Sequence, residues 1–158
     1  VLLLLFLLEQ YHLLAPLFIL AAITDWLDGF LARRWEAQTD LGAFLDPVAD
    51  KLIVTCALIL IAHTMTSKIL LTSIILIILR EVAMSSLRQW ASSFYGIKDI
   101  PVSFVGKTKT ALQLISTSIL LTIPTGTILT ISTGLLTLAA LLGWLSFYQY
   151  ARTISKAP

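Results

Sequence analysis

The chain has 158 residues, of which 58% are hydrophobic and 13% charged, and its mean hydropathy is +0.92. A typical soluble domain is about 45–50% apolar and about 25% charged, so this composition excludes a soluble enzyme and also a disordered chain. The formal net charge of +2 provides no basic stripe for a phosphate backbone and argues against nucleic-acid binding. We therefore expect a lipid bilayer to surround the chain.

Long apolar runs predict an all-α, polytopic membrane protein with a single domain over residues 1–158. A spanning helix needs about 20 apolar residues, and the runs far exceed the ~10-residue alternating segments of barrel strands. In chain order, the six predicted helices cover about 1–8, 13–34, 41–62, 68–94, 104–123 and 127–150. The chain opens on VLLLLFLL without a methionine, so we expect a first helix that lacks its beginning.

Polar segments separate these helices. Residues 9–12 make a polar turn after the first helix, and residues 95–103 form a polar loop between the fourth and the fifth. Pro124, Thr125 and Gly126 mark a tight break before the last helix. The polar composition after Tyr150 predicts that the last helix ends near that residue.

Basic residues lie almost entirely on one side of the predicted bundle. With six spans, the connection between helices two and three, the connection between four and five, and the C-terminus share a side. All of the 11 lysines and arginines except Lys68 lie nearer to that side. The positive-inside rule then predicts that both termini face the cytoplasm, in a multi-pass protein of the cytoplasmic membrane.

Four aspartates lie at close spacing within the predicted membrane helices: Asp25 and Asp28 near the end of helix two, and Asp46 and Asp50 near the start of helix three. Spacings of three and four put each pair on one helix face. Carboxylates brought together without a partner repel each other, and a hard divalent cation such as Mg²⁺ or Mn²⁺ removes that conflict. In the alternative, the aspartates are surface charges that pair with Arg33, Arg34 and Lys51.

Residues 25–50 read DWLDGFLARRWEAQTDLGAFLDPVAD and fit the pattern D-x2-D-G-x2-A-R-x8-G-x3-D-x3-D without departure. This segment resembles the CDP-alcohol phosphotransferase family of phospholipid-synthesising membrane enzymes. The resemblance implies six transmembrane helices around a polar cavity that faces the cytoplasm. The segments TDWLDGFLARR, GAFLDPVADKL, REVAMSSLRQWA and SFVGKTKTALQ look like the bacterial branch of the family that makes phosphatidylglycerophosphate.

The resemblance also implies roles for individual residues. Asp25, Asp28 and Asp46 would hold the metal, and Asp50 would complete a site for two ions and act as the general base. The residues implied to bind the cytidine-diphosphate group are Asp25, Gly29, Ala32, Arg33 and Gly42. The implied reaction transfers a phosphatidyl group from CDP-diacylglycerol to glycerol 3-phosphate and releases CMP.

A phosphate-bearing acceptor needs cations beyond the metal ions. Arg80 lies far inside helix four, about 18 Å from Lys68 at 1.5 Å per residue, so it must face a cavity or pair with Glu81. We predict that the acceptor phosphate is bound by Arg80, Arg88, Lys107 and Lys109. Positive-inside anchoring is the alternative for these residues.

Other functions stay open at this point. The same chemistry could use another acceptor, such as phosphatidylglycerol, serine or an inositol phosphate. A Mg²⁺ transporter with a pore ring of aspartates is a rival of a different class, although the outer halves of the helices carry no acidic residue beyond Glu9. The expected partners are the two substrates and membrane lipids but no nucleic acid, and the oligomeric state is left open, a homodimer included.

Isolated residues with potential chemistry are interpreted as structural. Cys56 lies in the apolar run VTCALIL, which predicts that its side chain packs in the core. His63 is expected at the membrane edge, and Trp144 is expected to anchor the chain at the headgroup level.

Overall fold

The computed structural model describes residues 2–34, 40–95 and 104–155, with the backbone alone at 25–26, 28–34, 40–41, 43–44, 46–47 and 95. Within these ranges the chain is helical and contains no strand. The helices are α1 (Leu2–Leu7), α2 (Leu14–Arg34), α3 (Asp40–Thr64), α4 (Lys68–Tyr95), α5 (Phe104–Leu120) and α6 (Gly126–Ile154). The predicted all-α class is confirmed, and each predicted helix has a counterpart.

The polar turn after α1 is a helix-terminating motif. Glu9 adopts a left-handed backbone conformation with φ of 56°. The Glu9 N–H donates to the Phe6 carbonyl at 3.0 Å, and the Gln10 N–H donates to the Leu5 carbonyl at 2.9 Å. These two bonds form a Schellman cap, which satisfies carbonyls that the end of a helix leaves unpaired. A short 3₁₀ turn, Tyr11–Leu13, then leads into α2.

The last two helices end at different residues from those predicted. α5 ends at Leu120, because Thr122 and Ile123 donate to carbonyls three residues back and Ile123 has a φ of 53°. α6 continues past Tyr150 to Ile154, where Ile154 is buried. Arg152 lies in the last turn of α6, where a cation interacts favourably with the helix dipole.

One compact unit comprises Val1–Met65 and Thr117–Pro124. In this unit α1 packs against α2 and α3, and α2 also contacts α3. The buried apolar residues of the unit are Leu2, Leu14, Ala15, Phe18, Ala57, Leu58, Leu60, Ile61, Leu120 and Leu121. This core holds together the two helices that carry the acidic motif.

The second compact unit comprises Thr66–Ser116 and Thr125–Pro158, and α4 packs against α6 within it. Ser73 contacts Thr137, Arg80 contacts Gly143, and Arg88 contacts the ring of Tyr150. In these three contacts the residue number increases along α4 and along α6 in the same direction, so the two helices run parallel. The chain between them must therefore return to the end at which α4 begins.

Polar bonds between α4 and α6 supplement their apolar packing. The hydroxyl oxygens of Ser73 and Thr137 are 2.9 Å apart, and the indole N–H of Trp144 donates to the Leu76 carbonyl at 3.1 Å. Trp144 therefore does not serve only as the predicted headgroup anchor, because its polar atom is bonded to the neighbouring helix.

Among the described residues, two helices are long and apolar enough to cross a membrane, judged by length and composition. They cover Lys68–Phe94 and Gly126–Ile154, with 27 and 29 residues and a mean hydropathy of 1.9 each. Tyr11–Thr24 is a shorter apolar helix. The predicted count of six spans stays a prediction.

Candidate active site

The acidic motif lies on two consecutive helices of the first unit. Asp25 and Asp28 are in the second half of α2, and Asp46 and Asp50 are in the first half of α3. Because all four positions are helical, the spacings of three and four residues place each pair on one side of its helix. α2 and α3 contact each other, and residues 35–39 join them.

The structure describes only part of this motif at the level of side chains. Asp50 is solvent-exposed on α3, and Gly42 is half-buried. The remaining motif residues lie outside the described side chains: Asp25, Asp28, Gly29, Ala32, Arg33 and Asp46. Among the side chains that are described, no group of three or more His, Cys, Asp or Glu could hold a metal ion. That search includes Asp50 alone of the four aspartates.

The donor chemistry of the motif fits a hard divalent cation. The four carboxylates offer oxygen ligands alone, a set that suits Mg²⁺ or Mn²⁺ better than metals that prefer nitrogen or sulfur. Asp25 and Asp28 are separated by about 4.5 Å of helical rise, and Asp46 and Asp50 by about 6 Å. Contact between α2 and α3 brings these two pairs onto one packed helix pair, so the aspartates could hold such an ion.

A group of charged side chains lies in the second unit, where α4, α5 and α6 contribute to it. Nη1 of Arg80 donates to Oε1 of Glu81 at 3.1 Å, and Nζ of Lys109 donates to the same oxygen. Nε of Arg80 donates to the carbonyl of Gly143 at 3.1 Å. We refer to Arg80, Glu81 and Lys109 as the cationic cluster.

The cationic cluster is largely buried and carries one more positive than negative charge. The side chains of Arg80, Glu81 and Lys109 are 10%, 22% and 7% exposed. A buried charge without full compensation is costly, so one further anion would complete the charge balance. Arg80 donates to the described residues through one N–H of Nε and one of Nη1, so three of its five N–H groups, two of them on Nη2, are not used in these bonds.

The structure brings together two of the four residues predicted to bind the acceptor phosphate. Arg80 and Lys109 both bind Oε1 of Glu81. The predicted pairing of Arg80 with Glu81 is therefore present, and it involves two of the residues predicted to bind phosphate. Arg88 and Lys107 are exposed and lie outside the cationic cluster. The guanidinium carbon of Arg88 is 5.7 Å from the centre of the Tyr150 ring, a cation–π distance.

Sequence reasoning missed two residues of the second unit. Gly143 accepts the Arg80 hydrogen bond described above. Gln113 lies one turn after Lys109 on α5 and is buried, and its Oε1 has no hydrogen-bond partner among the described residues. The signals available in the sequence were a glycine and an amide inside apolar helices, where polar or flexible residues have a specific reason to occur.

Carboxylates suited to a divalent cation and a buried cluster that lacks one anion both favour chemistry on phosphate groups. Together with two described helices of membrane length, these features are typical of helical membrane-associated proteins that act on phosphate compounds. A family model described as CDP-alcohol phosphatidyltransferase matches residues 1–147. The chain belongs to this family, whose members generally depend on a divalent metal. The resemblance found in residues 25–50 is thereby confirmed.

Individual relatives cover most of the chain. A protein of Sodalis glossinidius is 43% identical over 136 residues, which are 86% of this chain and 75% of the relative. A protein of Pectobacterium atrosepticum is 42% identical over 138 residues, 87% of this chain and 76% of the relative. A protein of Yersinia pestis is 44% identical over 136 residues, 86% of this chain and 75% of the relative. All three are named CDP-diacylglycerol–glycerol-3-phosphate 3-phosphatidyltransferase.

Proposed function

We propose that this chain transfers the phosphatidyl group of CDP-diacylglycerol to glycerol 3-phosphate, with phosphatidylglycerophosphate and CMP as products. The observation that carries the proposal is the 42–44% identity, over 86–87% of the chain, to relatives named for this reaction. The surplus positive charge of the cationic cluster supports an acceptor that bears a phosphate, because a phosphate supplies the missing anion.

The chemical step is a substitution at the β-phosphorus of CDP-diacylglycerol. The hydroxyl oxygen of glycerol 3-phosphate forms a bond to that phosphorus, and the bond from phosphorus to the bridging oxygen breaks. The electron pair of the broken bond leaves with CMP. The carboxylate of Asp50 takes the hydroxyl proton, and a base placed in this way contributes about 10²–10⁴-fold to the rate. The exposure of Asp50 on α3 is consistent with access to a substrate hydroxyl.

The acidic motif is assigned to the donor substrate. Asp25, Asp28, Asp46 and Asp50 would hold two divalent ions, Mg²⁺ or Mn²⁺, and such ions would supply positive charge to the attacked and the departing phosphate. Small residues let a ligand approach the helix backbone closely, and Arg33 adds a cation for the diphosphate. The residues that bind the cytidine diphosphate are Asp25, Gly29, Ala32, Arg33 and Gly42.

The acceptor phosphate binds at the cationic cluster. Arg80 contributes the N–H groups of Nη2, and Lys109 contributes the ammonium donors that Glu81 does not use. Charge-assisted hydrogen bonds of this kind are shorter and stronger than neutral ones. Arg88 and Lys107 supply additional positive charge for the entering phosphate.

The proposed setting is a single domain with six spans in the bacterial cytoplasmic membrane, a polar cavity that faces the cytoplasm, and both termini in the cytoplasm. The parallel course of α4 and α6 supports this topology, because the segment between two parallel spans must cross back. The distribution of basic residues supports the orientation. A homodimer is compatible with this arrangement.

An acceptor screen with purified protein and labelled CDP-diacylglycerol tests the function. Glycerol 3-phosphate, serine, phosphatidylglycerol and an inositol phosphate are each supplied with Mg²⁺ and, in parallel, with EDTA. We expect a labelled lipid product and CMP with glycerol 3-phosphate and Mg²⁺, and neither with EDTA. A product with serine but none with glycerol 3-phosphate would contradict the proposed acceptor, and full turnover in EDTA would contradict the metal requirement.

A further inference from the structure

We propose that Gly143 of α6 is a positioning residue for the acceptor phosphate. Its carbonyl orients the guanidinium group of Arg80, and its lack of a side chain leaves the space in which Arg80 and Lys109 lie side by side. The inference rests on the proposed function and deepens it, since it identifies a backbone group besides Glu81 that holds Arg80 in place.

The space beside Gly143 is occupied by side chains from two other helices. A Cβ atom built at position 143 would lie 3.6 Å from Cδ of Arg80, 3.6 Å from Cε of Lys109 and 3.7 Å from Nε of Arg80. These are ordinary van der Waals distances, so the cationic side chains pack directly against the α6 backbone. A glycine at this position therefore lets residues of α4 and α5 meet at α6.

Gly134 lies on the same helix, but no side chain among the described residues packs against it. A Cβ built at Gly134 would meet nothing within 4 Å, and Gly134 is exposed. Gly143 is buried. The two glycines therefore share a helix but differ in what a side chain would displace, which makes Gly134 a matched control.

The carbonyl of Gly143 adds a directional constraint to this packing. A backbone carbonyl has two lone pairs and can accept a side-chain N–H in addition to its helical bond. With Nε of Arg80 on Gly143 and Nη1 on Glu81, the planar guanidinium group is held at two points. The plane of the group is thereby fixed together with its three remaining N–H groups, and a guanidinium of fixed plane is suited to two-point recognition of a phosphate.

The size of the residue at position 143 should therefore control acceptor binding. An alanine Cβ fits at 3.6 Å from its neighbours, so Gly143→Ala should keep the geometry. A valine adds two methyl groups to a Cβ that already lies 3.6 Å from carbon atoms of Arg80 and Lys109, which leaves these side chains less room. Since both side chains end in the groups that bind phosphate, Gly143→Val should displace these groups and weaken acceptor binding.

The test compares KM for glycerol 3-phosphate and KM for CDP-diacylglycerol in the wild type and in Gly143→Ala, Gly143→Val and Gly134→Val. We expect Gly143→Val to raise KM for glycerol 3-phosphate about tenfold or more, the equivalent of one lost charge-assisted hydrogen bond. KM for CDP-diacylglycerol should not change, and the other two variants should behave like the wild type. If Gly143→Val does not fold, Gly143→Ser takes its place in the same comparison.

Two results would overturn the role of Gly143: an unchanged KM for glycerol 3-phosphate in the folded variant, or an equal rise in both KM values. A purely structural defect gives the second pattern, because it affects both substrates. Failure of the proposed function is a separate result, since it appears in the wild type as the absence of any product that depends on glycerol 3-phosphate.

Discussion

At the scale of single residues, one carboxylate oxygen organises the cationic cluster. Oε1 of Glu81 accepts from both Arg80 and Lys109, which keeps two like charges close together on neighbouring helices. One carboxylate cannot neutralise two cations, so the three side chains keep a formal charge of +1, which the proposed acceptor phosphate would balance. The same three side chains therefore serve the stability of the helix packing and the proposed binding of phosphate.

Removal of Arg80 should weaken acceptor binding without removing all charge pairing. Arg80→Ala lowers the net charge of the cluster from +1 to 0 and leaves the pair of Glu81 and Lys109 intact. We expect a loss of roughly 10- to 150-fold in kcat/KM for glycerol 3-phosphate, from one charge-assisted bond of about 1.5–3 kcal/mol. Arg80→Lys should retain only part of the wild-type kcat/KM, because an ammonium group lacks the two-pronged donor geometry of a guanidinium. An unchanged KM for glycerol 3-phosphate in stable Arg80→Ala protein would exclude Arg80 from the phosphate site.

Removal of the charge of Glu81 should mainly lower stability. Glu81→Gln keeps an acceptor oxygen but leaves two buried cations without a counter-ion, at a cost of about 1–3 kcal/mol. For a chain of this length, each kcal/mol lowers Tm by about 2–4 °C. Added inorganic phosphate should raise Tm more in this variant than in the wild type, since the bound anion replaces the lost charge. Glu9→Gln, in the turn after α1, is the control. Equal Tm values for Glu81→Gln and the wild type would contradict this role.

The proposed general base is tested by a change that keeps its size. Asp50→Asn retains one acceptor oxygen but cannot take a proton at neutral pH. We expect turnover to fall by about 10²–10⁴-fold, while CDP-diacylglycerol still binds in an equilibrium assay. Glu9→Gln again serves as the control, because Glu9 lies outside the acidic motif. Near-normal turnover in Asp50→Asn would remove Asp50 from the role of base.

At the scale of elements, α4 and α6 form the best-defined pair of the second unit. Their contacts include apolar packing, a pair of hydroxyl groups, and bonds from Arg80 and Trp144 to carbonyls of the opposite helix. Hydrogen bonds across helices are useful in an apolar setting, where apolar side chains gain nothing by leaving lipid. This packing fixes the register that places Gly143 beside Arg80.

The bond of Trp144 to α4 should make a measurable contribution to this packing. Trp144→Phe keeps the aromatic ring but removes the N–H that donates to Leu76. We expect a loss of about 1 kcal/mol, seen as a Tm lowered by about 2–4 °C in detergent. Tyr148→Phe is the control, because it removes one polar group from an exposed ring on the same helix. An equal effect of both substitutions would show that the indole bond contributes nothing specific.

At the scale of the whole molecule, the proposed six-span topology can be tested with single cysteines. Cys56 is the single cysteine in the sequence, so Cys56→Ser provides a background without thiols. Ser67→Cys reports the side where α4 begins, and Ser155→Cys the side where α6 ends. An impermeant maleimide should label the latter in inverted vesicles and the former in spheroplasts. Labelling of both from one side would contradict the topology.

Local patterns in the sequence were sufficient to predict the helices and the acidic motif. The lengths of the apolar runs predicted the helices, because a helix that avoids water needs only consecutive apolar residues. The spacing of Asp25, Asp28, Asp46 and Asp50 predicted that each pair shares a helix face, because residues three or four apart do so wherever the helix lies. The family was predicted from the resemblance of residues 25–50 to its motif. Their roles in metal binding and catalysis stay predictions. The ends of α5 and α6 were less accurate, since they depend on a left-handed residue and on a buried isoleucine.

Only the tertiary structure decided which of the predicted cations meet. Arg80 and Lys109 converge on Glu81 although Lys109 is 28 residues away in the chain, and Gly143 reaches Arg80 across 63 residues. No periodicity records such pairings, because they follow from the parallel register of α4 and α6 and from the position of α5 beside them. Positive charge in the sequence therefore predicted four candidates for phosphate binding. Helix packing brings two of them, Arg80 and Lys109, into contact with one carboxylate and with Gly143.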